Sequence, residues 1–365
     1  MVIGIDISML VYQGSGVATY TYNLAKSLLK YDKKNEYRFF YSSLRRPKHF
    51  PYLQELKEMG GKIYDHRFPP KVLKLWWNRF HIIPVEWFIG RVDIFHSSDF
   101  LRPPFLKGTR GITTIHDLTW KKFPQFHTPE IVKAHEKKLK LTIELDDIII
   151  VDSDKTKEDL LYYYPNSKNP IYTIPLGVDQ KYFARHSKKN IQRTMKKYLI
   201  KKPYLLYVGA IEPRKNIVTL IKSFKKVLMD KPEYYLVLAG RAGWKNEDVF
   251  KEINKLKLEE KIIFTGFVNE NDLSSVYQGA SVFVYPSLYE GFGLPPLEAL
   301  ASGIPTIAFN SPSMHVNFTL KIDKDHLARL ILNLIERALL PKIKIPLWKE
   351  TAIKTLETYS KIIQD

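Results

Sequence analysis

The sequence predicts an α/β protein made of two doubly wound domains facing each other. Three observations predict it. Strand-length apolar runs alternate with helical patterns through both halves, in the same strand, loop, helix order, although no internal repeat is evident. Glycines and charged residues sit at the strand-to-helix junctions, at Gly14 to Gly16, Gly209 to Asn216 and Glu290 to Gly293. The 365 residues, 45% hydrophobic and 13% aromatic, are enough for two cores and argue against disorder.

Composition narrows the class further. No apolar run approaches the roughly 18 residues a membrane-crossing helix needs. The opening MVIGIDISMLVY lacks a basic leader and a cleavage site, so it reads as a first strand. Zero cysteines exclude a disulfide framework and thiol chemistry, which fits a cytoplasmic setting. The net charge of +19 points to nucleic acid, an anionic membrane face or phosphorylated substrates, unless it reflects a lysine-rich genome. No nucleic-acid-binding motif appears, so nucleic acid is not expected as a partner.

Met1 to Met9 is the first strand candidate, and a helical pattern runs on to Leu29. Gly14 and Gly16 lie where that strand turns into the helix, a place where backbone can approach a phosphate. The third glycine of a dinucleotide fingerprint is missing, and a tight turn would account for the same residues. Glu36 to Ser42 reads as a strand. Lys71 to Gly90 reads as an amphipathic helix with Trp76, Trp77, Phe80 and Trp87 beside Lys71, Lys74 and Arg79. It would either pack on the sheet or meet a membrane interface. Val92 to His96 is strand-like. Thr113 onward is a strand that ends on His116 and Asp117, the edge where α/β sheets bind ligands. Thr128-Pro129 starts a helix through Leu145, Asp147 to Asp152 is a strand, Ser153 opens a helix to Tyr163, and Ile171 to Ile174 follows.

Residues 1–184 thus form the expected first domain, 185–202 a linker and 203–346 the second domain. The linker holds eight basic residues and no acid, a solvated face or else a membrane or nucleic-acid patch. Tyr204 to Gly209 opens the second sheet, and a helix through Met229 follows. Arg214 and Lys215 precede that helix, so two cations stand beside a helix N-terminus. Strands at Tyr235 to Ala239 and Lys261 to Thr265, then a helix at Asn271 to Gln278, lead to Val282 to Tyr285. After that strand come a turn from Pro286 to Gly293, a helix opened by Pro295 and Pro296, and a strand from Ile304 to Phe309. Glu298 is placed in the first helical turn. Alone, Glu298 could be a complement to the helix dipole and Glu290 a solvated loop charge.

The phrase Glu290-Gly-Phe-Gly-Leu-Pro-Pro-Leu-Glu298 resembles the Glu-x7-Glu motif of the retaining, nucleotide-sugar-dependent glycosyltransferases of the GT-B fold. Glycosyltransferase family 4 (group 1), mannosyltransferases included, is the nearest likeness. The surrounding residues, from Tyr285-Pro-Ser to Gly303-Ile-Pro, are similar as well. Tyr-Val-Gly-x-Ile-Glu-Pro-Arg-Lys-Asn, from Tyr207 to Asn216, resembles the family's second diphosphate loop. Ile-His-Asp-Leu around His116 is similar to the segment that reaches the donor sugar.

The resemblance implies two Rossmann-like domains facing a central cleft, with a closing helix at about 347–365 packed back on the first. It implies a donor of the nucleoside diphosphate sugar type and no separate cofactor. GDP-mannose is favoured, with UDP-sugars next. Lys215 matches the phosphate-contacting lysine, and Arg214 becomes the second cation because Ala210 stands where many relatives carry arginine. Gly209 belongs to the same loop. The amides of Phe292, Gly293 and Leu294 would meet phosphate and sugar, Glu298 the ribose and Glu290 a sugar hydroxyl. His116 would bind the sugar with Asp117 as its orienting neighbour, and Gly16 would face the diphosphate. The two cations and the absence of an Asp-x-Asp metal motif lead to the expectation that the reaction is metal-independent. The acceptor would be a glycan or lipid-linked sugar in cell-surface polysaccharide synthesis, reached from the cytoplasm with peripheral contact to an anionic membrane. The stretch 312–321 is shorter than in relatives, which leaves a non-catalytic sugar-nucleotide-binding protein as an alternative. A Rossmann oxidoreductase is disfavoured by the incomplete fingerprint.

Overall fold

A computed structural model describes residues 1–44, 46, 50–97, 100–314, 322–338, 340 and 343–364. The chain divides into two compact units, Met1–Gly177 with Pro346–Asp365, and Val178–Ile345. The first boundary therefore falls before residue 184, and the supposed linker 185–202 lies inside the second unit. There Lys188–Lys197 is a helix, capped by the Ser187 hydroxyl on the Asn190 amide. It buries Thr194 and Met195 and packs on the helix Glu270–Gly279, while its cations face outward. A run of charges concealed a narrow apolar stripe.

The first unit is built on seven strands: β1 Val2–Asp6, β2 Glu36–Ser42, β3 Lys62–His66, β4 Ile94–Ser97, β5 Arg110–Ile115, β6 Ile148–Val151 and β7 Ile171–Thr173. All pair in parallel, in the order β3-β2-β1-β4-β5-β6-β7. A parallel sheet is covered on both faces, and its strands accordingly read as near-continuous apolar runs. Phe39, Phe40, Ile94, Phe95, Ile112 and Ile149 are completely buried. Helix Gly16–Tyr31 begins at Ser15, whose hydroxyl accepts the Ala18 amide. The helix Trp348–Gln364 packs along it, as expected for the closing segment.

Lys71 to Gly90 is not one helix. It comprises Pro70–Leu73, a π-helical turn Lys74–Arg79 and a short helix Glu86–Ile89. His81 and Ile83 between them have φ of 51° and 64°. Pro84 explains the break, since it disfavours helical backbone at the residue before it. The strand β3 and the helix Tyr52–Glu58 are additional to the sequence reading.

The second unit holds β8 Tyr204–Val208, β9 Tyr235–Ala239, β10 Ile262–Gly266, β11 Val282–Tyr285 and β12 Thr306–Ala308. They are again all parallel, in the order β10-β9-β8-β11-β12. From β8 the chain steps outward through β9 and β10, then returns to the other side of β8 as β11. That reversal opens a crevice at the carboxyl ends of β8 and β11, where ligands bind in open α/β sheets. In the first unit the same reversal falls between β1 and β4.

Candidate functional site

The loops after β8 and β11 meet at the second unit's reversal point. Gly209 ends β8 at φ 147°, and its amide donates to the Ala239 carbonyl. A side chain on Gly240 would lie 2.0 Å from the Gly209 carbonyl oxygen, so the turn requires close backbone approach there. Pro213–Lys215 then forms a 3-10 turn, and helix Ile217–Asp230 follows. The loop after β11 is tied to this turn by the Leu288 amide on the Arg214 carbonyl, 2.9 Å. On its other side the Glu290 amide donates to the Asn310 carbonyl and Asn310 Nδ2 to the Ser287 carbonyl.

Inside that frame Lys215 Nζ donates to Glu290 Oε1 at 2.7 Å and to the Tyr285 hydroxyl at 2.6 Å. Arg214 Nη1 lies 3.0 Å from Glu290 Oε2 and donates to the Tyr289 carbonyl at 2.9 Å, while Nη2 reaches Glu212 Oε1 at 2.9 Å. The Ser287 hydroxyl also donates to Glu290. Burial would push the Glu290 carboxyl up, but Arg214, Lys215 and the hydrogen bonds outweigh it and hold it down to about 2. Lys215 is lowered, by burial first and then by Arg214, with Glu290 and Glu212 opposing. Two cations and two carboxylates thus share one buried cluster. The Glu290 charge anticipated as a sugar ligand is, in this structure, the partner of both predicted cations.

Helix Leu294–Ala301 starts beside this cluster. Gly293 caps it at φ 90°, and the Phe292 and Gly293 carbonyls are held by the Ser311 and Ser313 hydroxyls, 3.1 and 2.6 Å. Pro295 and Pro296 lack N–H groups, so the donors at this terminus are concentrated on Gly293 and Leu294. Among the described residues no acceptor is paired with either amide. Because the helix begins at Leu294, Glu298 falls in its second turn rather than its first. It does not complement the dipole. It is buried, accepts the Tyr277 hydroxyl at 3.0 Å, and is raised to about 7 by burial, against Lys181 and hydrogen bonds from Tyr277 and Tyr182.

The first unit carries its own cluster. Ile115 and Val151 are register partners, so the next residues, His116 and Asp152, emerge side by side from β5 and β6. His116 Nδ1 lies 2.6 Å from Asp152 Oδ2, and the Tyr20 ring stands edge-on at 4.6 Å. Tyr20 and His96 both bond the Thr114 hydroxyl, and His96 Nδ1 meets the Tyr359 hydroxyl at 2.7 Å. Burial, helped by Lys138 and His116, pushes His96 down to about 3, so it stays neutral. Asp117, expected to orient His116, accepts the Thr119 amide at 2.9 Å and hydroxyl at 2.5 Å. Asp152 is the residue sequence reasoning missed; only the strand register reveals it. Gly16 stands at the first position of its helix, where a side chain would meet nothing within 4 Å. No protein contact therefore requires glycine there.

Asp-x-Asp strings do occur, at Asp152-Ser-Asp154 and Asp323-Lys-Asp325. Asp152 holds His116 and Asp154 accepts the Thr173 hydroxyl. Asp323 caps its helix through the amides of Asp325 and His326. Of the 312–321 stretch, Pro312–Met314 forms a 3-10 turn, and the remainder lies outside the described residues.

Two family models match, one on each unit: "Glycosyltransferase Family 4" over residues 14–182 and "Glycosyl transferases group 1" over residues 190–328. The chain belongs to this family of GT-B glycosyltransferases. More particularly, it is similar to the O-antigen chain mannosyltransferase B of Escherichia coli, 32% identical over 60% of this chain and 58% of that protein. The chain therefore matches little more than half the length of that relative. In fold it matches a sucrose-phosphate synthase from Thermosynechococcus elongatus, TM-score 0.73 at 19% identity, over 100% of this chain and 99% of that one. It also matches HepE of Anabaena, solved with UDP and glucose, TM-score 0.68 at 15% identity over 98% and 99%. Among the described residues no helix is long and apolar enough to cross a membrane.

Proposed function

We propose that this protein transfers a sugar, mannose first among candidates, from a nucleoside diphosphate donor to a glycan or lipid-linked acceptor, with retention at the anomeric carbon. The observation that carries the reading is the Arg214–Glu290–Lys215 cluster at the reversal point of the second sheet, beside the amides of Gly293 and Leu294. An arriving diphosphate competes with Glu290 for both cations. As it takes them, the Glu290 carboxylate is released toward the hydroxyls of the sugar. The leaving diphosphate then develops its charge against Lys215 and Arg214, which do the work a divalent ion does elsewhere. The acceptor hydroxyl attacks from the face the diphosphate leaves, and a phosphate oxygen takes its proton. Glu298 holds the ribose diol. In the first unit, the hydrogen bond from His116 Nδ1 to Asp152 fixes the orientation of a ring suited to bonding a sugar hydroxyl. The names of the mannosyltransferase relatives support mannose, and through it GDP-mannose, and support cell-surface polysaccharide as the product.

A thermal-shift panel of GDP-, UDP- and ADP-sugars, with and without a divalent metal, tests this. A ligand at 100 times its Kd adds about 2.7 kcal/mol to stability. GDP-mannose should give the largest shift, unchanged by a chelator. Lys215→Ala and Glu298→Ala should each reduce it strongly. Equal shifts in wild type and both variants for every nucleotide would defeat the site assignment.

A further inference from the structure

We infer that Tyr359, on the closing helix of the first unit, is a positioning residue for His116. It acts through a buried hydrogen-bonded chain of His96, Thr114 and Tyr20. The effect on turnover rests on the reading of His116 as a sugar-binding residue; the geometry does not. Thr114 and His116 are two positions apart along β5, so their side chains share one face of the sheet. His96 on β4 is the register partner of Ile112, two positions earlier, and stands on the same face. The Tyr359 hydroxyl meets His96 Nδ1 at 2.7 Å, and His96 Nε2 meets the Thr114 hydroxyl at 2.7 Å. That hydroxyl also bonds the Tyr20 hydroxyl at 2.8 Å, and the Tyr20 ring stands edge-on to His116 at 4.6 Å and 77°.

Packing alone does not call for this chain. Elsewhere along the same helix Ala352 and Ile362 fill the buried side with apolar atoms. A buried polar group costs free energy unless it is paired, so a run of paired ones specifies an arrangement more than it adds stability. Burial keeps the hydroxyls of Tyr20 and Tyr359 protonated and His96 neutral. A neutral imidazole has one donor and one acceptor nitrogen, so a single tautomer of His96 makes both of its bonds.

The chain matters because Tyr20 has room to move. A cavity of about 20 Å³ borders it, lined also by Asp6, His96, Ser97, Thr114 and His116. That is space for a single water, or for the ring to shift. The bond to Thr114 opposes such a shift, as does the Trp348 ring, whose centroid lies 6.3 Å from that of Tyr20. Trp348 and Tyr359 are about three helical turns apart and therefore project from one side of the closing helix. That helix thus holds Tyr20 at two places, and Tyr20 in turn holds the free side of the ring that Asp152 anchors. Misplacing a reacting group by about 1 Å can cost about a hundredfold in rate, even when the cause is remote.

The test is NMR of isotope-labelled histidine in the full chain, with the His116 signal identified by its loss in His116→Gln. The ring current of Tyr20 makes that signal a gauge of the tyrosine's position. Tyr359→Phe and Thr114→Val keep the shape of their side chains and should both move the signal. Thr114→Ser keeps the hydroxyl and should leave it near its wild-type position. Ile362→Ala removes packing from the same helix but no link of the chain, so it should lower the melting temperature without moving the signal. In a transfer assay with the nucleoside diphosphate sugar that binds best, Tyr359→Phe should lower kcat about tenfold or more. The donor-induced thermal shift should stay, because the second unit's cluster is untouched. Tyr359→Phe with Thr114→Val should lose no more activity than Thr114→Val alone, since both cut one chain. An unmoved His116 signal in both folded variants, or an equal movement in Ile362→Ala, overturns the proposal. So does wild-type kcat in both variants of an active enzyme. If no nucleotide sugar binds, the transferase reading fails, and the His116 signal still decides whether Tyr359 positions the ring.

Discussion

Two glutamates of one motif, eight positions apart in the chain, titrate in opposite directions, and each direction has a local cause. Glu290 is held at about 2 because two cations and two donors outweigh its burial. Its contribution to stability is present above the ordinary carboxylate range and is lost only as pH falls toward 2. Glu298 has burial and too little compensation, which raises it from 4.5 to about 7. Between those values the folded chain binds a proton that the unfolded chain does not, so stability from this group is full below 4.5 and fades as pH rises through 7. At about 1.4 kcal/mol for each tenfold change in proton affinity, the loss is on the order of 3 kcal/mol. Glu298→Gln should therefore gain stability relative to wild type as pH rises across that window, in urea unfolding followed at several pH values. A difference that stays flat with pH would contradict the assignment. The residue types of this site were legible because the motif specifies them. Their pairing was not, since Lys215–Glu290 and His116–Asp152 depend on contacts between loops 75 and 36 residues apart. Asp152 stands beside His116 because side chains in register across a parallel ladder share one face, whereas successive residues of an extended chain point to opposite faces.

Among elements, helix Leu294–Ala301 shows how much a short stretch can decide. Two prolines fix its start and remove donors, and the left-handed Gly293 aims the remaining amides. A side chain on Gly293 would lie 1.8 Å from the Ser311 hydroxyl, at a φ of 90° that disfavours it independently. Gly293→Ala should cost about 2 kcal/mol or more and weaken donor binding. In a Ser311→Gly background, which already lacks the hydroxyl on the Phe292 carbonyl, Gly293→Ala should cost less melting temperature than in wild type because the clash is gone and the backbone term stays, and an undiminished cost would place it elsewhere. Legibility at this scale follows burial. The bounds of β2, β9 and β11 agree with their apolar runs because both sheet faces are covered. Lys71 to Gly90 misled because its spacing is helical while Pro84 and the left-handed His81 and Ile83 forbid a continuous helix. Helices Lys188–Lys197 and Glu247–Leu256 escaped notice because only Thr194, Met195, Val249 and Ile253 face inward among charged neighbours.

For the whole molecule, the boundary that matters is crossed twice, after Gly177 and again before Pro346. Trp348, Ala352, Tyr359 and Ile362 of the closing helix are buried in the first unit, and the Thr351 hydroxyl donates to the Pro175 carbonyl at 2.8 Å. Removing residues 346–365 should lower the melting temperature of the first unit by roughly 10 °C or more. Hydrogen exchange should then accelerate in β1 and β4 while β8 and β9 hold, and a uniform acceleration would contradict the division. Gly177 sits against the backbone of Trp348, where even a methyl group would come within 2.1 Å of the Trp348 nitrogen. The two ends of the second unit's chain thus leave the first unit at a single point, which makes the second unit an insertion. On the ribosome this sets an order. The second unit emerges complete and can fold as it is made, whereas the first, begun earlier, waits for its last helix with His96 and the apolar side of Gly16–Tyr31 uncovered. Of the two units, the one whose synthesis begins earlier is completed later.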